Sequence, residues 1–208
     1  EPVGAGRILI ETGVDVAHDQ QYPVSGLKGN LLRFPTIGLS FGISSIAEFQ
    51  IDGDFFGRLN ISQRNPLAPM ALSVPAGDSS HSVDDAVIAT KIRLLSETQG
   101  RPAIGIRFAT KLPNASNASG MDLNTTDFFI SILGAKTVQS VRLVGNIGVG
   151  VLGDPTDGAR QNDDLTYGAS FARAVTQQVE MVGELNGRVS TRSGTAFPGT
   201  ESRGLLKL

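Results

Sequence analysis

Residues 7–16 read Arg7-Ile8-Leu9-Ile10-Glu11-Thr12-Gly13-Val14-Asp15-Val16, and their alternation decides the fold. On an extended strand Ile8, Ile10, Thr12, Val14 and Val16 share one face, with Arg7, Glu11, Gly13 and Asp15 opposite. Residues 46–61 repeat the pattern, Ala47, Phe49, Ile51, Phe55, Leu59 and Ile61 lying against Glu48, Gln50, Asp52, Asp54, Arg58 and Asn60. One face has nothing for water to hydrogen-bond and the other carries ions of both signs. A transmembrane β-barrel has this arrangement, with lipid outside and a polar lumen inside.

The same test runs along the chain. Ile88, Thr90, Ile92 and Leu94 oppose Lys91 and Arg93; Ile104, Ile106, Phe108 and Thr110 oppose Arg107 and Lys111. Val141, Leu143, Ile147, Val149 and Val151 oppose Arg142, Asn146, Gly148 and Gly150, and Val179, Met181 and Leu185 oppose Glu180, Glu184, Asn186 and Arg188. Only Arg33, Lys136 and Arg173 fall on the apolar face, each near a strand end where a long cation can snorkel. Alternation predicts strands over 6–17, 30–44, 46–61, 86–96, 103–112, 126–137, 141–152, 164–174 and 178–188, with a tenth opening at Arg203. Long connections (18–29, 62–85, 113–125, 153–163, 189–202) alternate with short ones, as the two rims of an up-and-down barrel require. The expected fold is therefore all-β, a single antiparallel transmembrane barrel domain over residues 1–208. Nine strands and a begun tenth leave an open seam between first and last, so the domain is expected to be incomplete at its C-terminal end. The aromatic girdle expected at the lipid interfaces rests on Phe34, Phe41, Phe55, Phe128, Phe171, Tyr22 and Tyr167.

Composition narrows the function classes. The 208 residues carry a net charge of −2 and no basic run, which gives no case for a nucleic-acid partner. Cysteine is absent, so disulfides, thiolate metal sites and cysteine nucleophiles are excluded. No run of eighteen apolar residues exists, which rules out a membrane-spanning helix and leaves a barrel untouched.

Three stretches imitate chemistry. Gly148-Val149-Gly150-Val151-Leu152-Gly153 has dinucleotide-fingerprint glycines, but Asp154-Pro155-Thr156-Asp157-Gly158 follows where a helix is needed. Ser79-Ser80-His81-Ser82-Val83-Asp84-Asp85 holds the residue types of a hydrolase triad, packed too closely in sequence to reach triad geometry. Asp154, Asp157, Asp163 and Asp164 lack the spacing of a calcium loop. No catalytic residue, metal site or cofactor is expected. The constellation that stands out is the set of charges on the polar face: Arg7, Glu11, Asp15, Glu48, Asp52, Asp54, Arg58, Lys91, Arg93, Arg107, Lys111, Asp127, Arg142, Glu180 and Glu184. Arg58, Lys91, Arg93, Arg107 and Arg142 are expected to face Glu11, Glu48, Asp52, Glu180 and Glu184 across the interior, either bracing it or lining a solvated path.

Lys111-Leu112-Pro113 followed by a Gly-bearing loop and Thr125-Thr126-Asp127-Phe128-Phe129, then Leu165-Thr166-Tyr167-Gly168, then Glu184-Leu185-Asn186-Gly187, resembles the outer-membrane barrels grouped under the MetA pathway of phenol degradation. The resemblance implies about twelve strands in a full barrel, an outer-membrane location in a Gram-negative-type envelope, lipid and small solutes as partners, and porin-like passive transport of small, aromatic or hydrophobic solutes. It carries over no catalytic residues. Barrels of this kind end on a strand with a terminal aromatic, whereas this sequence ends Gly204-Leu205-Leu206-Lys207-Leu208. Two other function classes fit the alternation: a soluble lipocalin-like ligand-binding barrel with its apolar face inward, and an outer-membrane enzyme using His81.

Overall fold

The computed structural model describes residues 2–71, 74 and 76–207; Glu1, Leu72, Ser73, Pro75 and Leu208 lie outside them. The strands are β1 (Ile8–Tyr22), β2 (Leu27–Gly42), β3 (Ala47–Asp54), β4 (Gly57–Arg64), β5 (Ser79–Ser82), β6 (Val87–Leu95), β7 (Ala103–Lys111), β8 (Asp127–Val138), β9 (Val141–Gly153), β10 (Gln161–Ala174), β11 (Glu180–Ser190) and β12 (Arg203–Lys207). They form one antiparallel up-and-down sheet of twelve strands in which β1 and β12 are the two ends and do not pair with each other. The sheet is accordingly barrel-like but not closed. A single turn of 3-10 helix, Asn117–Ser119, interrupts the β7–β8 connection.

Cross-strand register turns the alternation of single strands into faces of the whole sheet. Ile92, Ile106, Ile132, Ile147 and Tyr167 stand side by side on β6 to β10. Ile132 and Ile147 are 56% and 54% exposed, so this row faces away from the interior. One residue along, Glu48, Lys91, Arg107, Ser131, Gly148, Thr166, Arg188 and Arg203 form the opposite row from β3 to β12. Gly148 is required there: a Cβ would stand 2.2 Å from the Ile130 carbonyl oxygen, so β8 and β9 approach too closely for any side chain.

The stretch expected as one strand over 46–61 is two, β3 and β4, and the interruption changes which residues face in. Thr36 pairs with Asp54, but the next pair is Arg33 with Gly57. The register is the same on both sides of the joint, but regular pairing lapses over Phe34-Pro35 and Phe55-Phe56, and the side chains beyond it point the other way, Arg33 meeting Asp54. At the joint the Phe34 amide donates to the Phe56 carbonyl at 2.9 Å and the Phe55 amide to the Pro35 carbonyl at 3.2 Å; Pro35 itself has no N–H to give to a ladder. Past this joint the expected outward Leu59 and Ile61 turn inward, and Leu59 is 0% exposed. Arg58 correspondingly leaves the interior: it is exposed and its Nε donates to Asn60 Oδ1 at 3.1 Å. Its place among the inward charges is corrected on that ground. Arg33, expected on the apolar face, turns inward for the same reason.

Leu27, Leu31 and Leu59 form a buried cluster with Val74 and Met121, and Tyr22 packs against it. Tyr22 is therefore an interior residue, not part of a girdle, whereas Phe34, Phe55 and Phe128 are exposed. The expected loop 18–29 contracts to a turn, because β1 runs on to Tyr22 and β2 begins at Leu27.

Candidate functional site: the ion-lined interior

A cavity of about 1690 Å³ is lined by residues from β1 (Asp15, Val16), β2 (Arg33, Thr36), β7 (Arg107, Lys111), β9 (Asn146), β11 (Asn186, Arg188) and β12 (Arg203, Leu205, Lys207). Residues from both ends of the sheet share this one space, so the sheet curls around it. Alternation places most of these side chains there, Val16 and Arg33 being the two it put on the apolar face.

Most of the ions are matched locally along the wall. Glu48, 1% exposed, receives Lys91 Nζ at 2.5 Å, Gln50 Nε2 at 2.8 Å and the Val3 backbone amide at 2.7 Å. Arg107 donates to Gln50 Oε1 at 2.9 Å and reaches Asp52 at 3.4 Å. Lys111 sits between Asp85 at 3.1 Å and Asp127 at 3.2 Å, with Thr125 Oγ1 at 3.0 Å. Arg33 spans Asp15, Asp54 and Asp84 at 3.3, 3.0 and 3.5 Å. Burying such groups is costly unless each is paired and hydrogen-bonded, and here they are.

The remaining predicted residues are distributed more widely. Glu11 stands beside Gly38 next to Asp52, on the face of the β3 carboxylates. Glu184 accepts from Asn186 at 2.6 Å. Glu180 begins β11 and is exposed, and Arg7 precedes β1 with its side chain near Gly4. Arg93 Nη2 donates to the Ser45 carbonyl at 2.9 Å, and Arg142 pairs with Glu97, both among the short turns. Thus Lys91 meets Glu48 and Arg107 meets Asp52 along neighbouring strands, while Arg93 reaches the Ser45 carbonyl and Arg142 the Glu97 carboxylate.

Asn162 and Thr200 were not singled out from sequence, and Asp164 was weighed only as part of a cation loop. Asn162, Asp164 and Thr200 are buried, Asp164 pairs with Arg188 at 3.3 Å, and Asn162 donates to Asp164 at 2.8 Å and to the Thr200 carbonyl at 3.2 Å. Continuing the β10 alternation two residues toward the N-terminus would have found Asn162 and Asp164 on the inward face.

The mouth at the long-loop rim is covered. The β7–β8 connection, residues 112–126, contributes Met121 to the buried cluster and Asn117, Gly120, Asp122 and Leu123 to the cavity lining. A Cβ on Gly199 would stand 2.9 Å from Leu123 Cδ1 and 3.1 Å from Val24 Cγ2. The β7–β8 loop therefore bridges the β1–β2 turn and the β11–β12 loop, over the interior.

The three imitative stretches have structural roles. Gly148 and Gly150 lie within β9, Gly150 under the Phe129 ring. His81 stacks on Phe56 with centroids 5.5 Å apart, while Ser80 and Ser82 alternate to the other side of β5 and bond the β7–β8 loop. Asp154 accepts from the Thr156 amide at 2.8 Å and meets Arg160 at 3.1 Å, and Asp157 meets the same guanidinium at 3.0 Å. Among the described residues no three His, Asp or Glu side chains converge to hold a metal ion. No protein-family model matches the sequence, and no curated protein matches it.

Proposed function

We propose that the chain forms the wall of an outer-membrane barrel through which small solutes pass passively. The observation that carries this is the two-sidedness of the sheet. Isoleucine, valine and phenylalanine side chains stand exposed in continuous rows on one side, and a large cavity on the other is lined by paired ions and amides. Water gives no reason for rows of exposed apolar side chains, whereas lipid does. A soluble ligand-binding barrel would turn those rows inward. The resemblance to the MetA-pathway barrels supports the same reading and favours small, aromatic or otherwise hydrophobic solutes.

Arg107 is the cavity cation best placed to test passage, since it lines the open space and its loss frees only the neutral Gln50 amide and the exposed Asp52 carboxylate. Arg107→Glu reverses a charge on the path, and lumen substitutions tune selectivity with little effect on folding. Reversal potentials across a planar bilayer under a salt gradient should move toward cation preference. A variant that conducts as the parent does would make Arg107 a strut and remove it from the path.

A further inference from the structure

The start of the β7–β8 loop is tied to the β5–β6 link, the Leu112 amide donating to the Ala86 carbonyl at 2.8 Å, the Ala86 amide to Asn114 Oδ1 at 2.7 Å and the Ala115 amide to Asp85 Oδ1 at 2.9 Å, whereas residues 116–123 are held over the interior by a few serine hydroxyls. Ser80 Oγ donates to the Ser119 carbonyl at 2.6 Å and Ser25 Oγ to the Gly120 carbonyl at 2.5 Å. The Ser82 hydroxyl donates to Asp122 Oδ2, and the Ser119 hydroxyl donates to the same oxygen at 3.2 Å. Asp122 is buried, and the charges that face it are mostly acidic. Asp84 from the β5–β6 link faces it directly, with Tyr22 alongside, while Asp15 from β1 and Asp54 from β3 stand around Asp84 and Arg33. Arg33 of β2 is the guanidinium in this group and already serves Asp15, Asp54 and Asp84. Among the described residues, no cation pairs with Asp122.

We propose that the β7–β8 loop is a proton-operated plug: a proton shared between Asp122 and Asp84 keeps it seated over the mouth, and loss of that proton to solvent releases it. The plug regulates the solute passage proposed above and rests on that reading. With the proton present, Asp122 and Asp84 share one negative charge, so that Asp15, Asp54, Asp84 and Asp122 together carry three negative charges against the one positive charge of Arg33. Once the proton leaves, a second carboxylate faces Asp84 in a buried place, and the cheapest relief is for the loop to carry Asp122 into water.

Burial raises the Asp122 carboxyl, the Ser82 hydroxyl lowers it, and Asp84 raises it by charge and by hydrogen bond, bringing it from 3.8 to about 7. A carboxyl raised in the seated state favours that state fully below its ordinary value, and the advantage is lost as pH rises through about 7. The plug is thus shut in acid and released above neutrality.

The chain has no tryptophan, so Leu123→Trp gives a single reporter on the loop, readable by iodide quenching of protein in vesicles without any conductance measurement. Quenching is expected to rise several-fold between about pH 5.5 and about pH 8.5. With Asp122→Asn added it should stay low at both, and with Asp84→Asn added the rise should be clearly smaller. A parent reporter that ignores pH overturns the plug, as does a full response in either double variant that folds. Conductance is read separately: pH-dependent quenching in a protein that never conducts would defeat solute passage and leave the moving loop standing.

Discussion

Ile132→Arg is expected to destabilise the folded chain in a bilayer by about 2–4 kcal/mol, the cost of a guanidinium near the midplane on the lipid side of a barrel. Ile132 lies at the centre of β8, between Ile106 and Ile147, and more than half of it is exposed. Its neighbour Ser131 lies in the ion row beside Arg107. Ser131→Asp should therefore cost less than about 1 kcal/mol, as a charge beside an opposite charge in a solvated interior. Urea unfolding of protein inserted in vesicles measures both. Equal tolerance of the two changes would mean that neither face meets lipid.

The second large effect is at Lys111, which holds Asp85 and Asp127 together while all three side chains are mostly buried. Lys111→Met leaves two carboxylates close together without a cation, and removing one partner from a buried ion network costs about 3–5 kcal/mol. Adding Asp85→Asn and Asp127→Asn should recover much of that loss, because the neutral trio has no charge left to satisfy. Failure of the triple variant to recover would show that Lys111 acts through its packing stem and not its charge. The same unfolding experiment reads both results.

Much of the wall was legible because lipid-type burial and strand geometry write the same period-two pattern. β7 to β11 pair without a register shift, β6 slips only at Arg93–Leu95, and the bounds of all six lie within a few residues of those read from alternation. Legibility ended where the pattern and the pairing part company. At the long-loop rim β1 passes an irregularity at His18-Asp19 and pairs again through Gln20 and Gln21, which are polar on both sides and so give no alternation to read. Ser79–Ser82 is illegible for the same reason, since nothing in four polar residues announces a strand. The face of Arg58 could not be read because Phe55-Phe56 fits an unbroken apolar run, and only the irregular pairing with Phe34-Pro35 marks where the two faces exchange. The covered mouth was invisible for a different reason: which loop reaches across an interior depends on contacts far apart in sequence, such as Ser25 with Gly120.

The most direct test of the account places one tryptophan on each face of the sheet, with the rest of the chain supplying no background. Leu205 lines the cavity and lies in the row Asn146-Gly168-Asn186, one residue along from the row of Ile132 and Ile147. In vesicles of lipid brominated on the acyl chains, fluorescence of Ile132→Trp should be strongly quenched by the bromines and hardly at all by iodide. Leu205→Trp should show the reverse. Quenching of Ile132→Trp by iodide, with no effect of the brominated chains, would place the isoleucine rows in water or in a protein core and contradict the barrel wall.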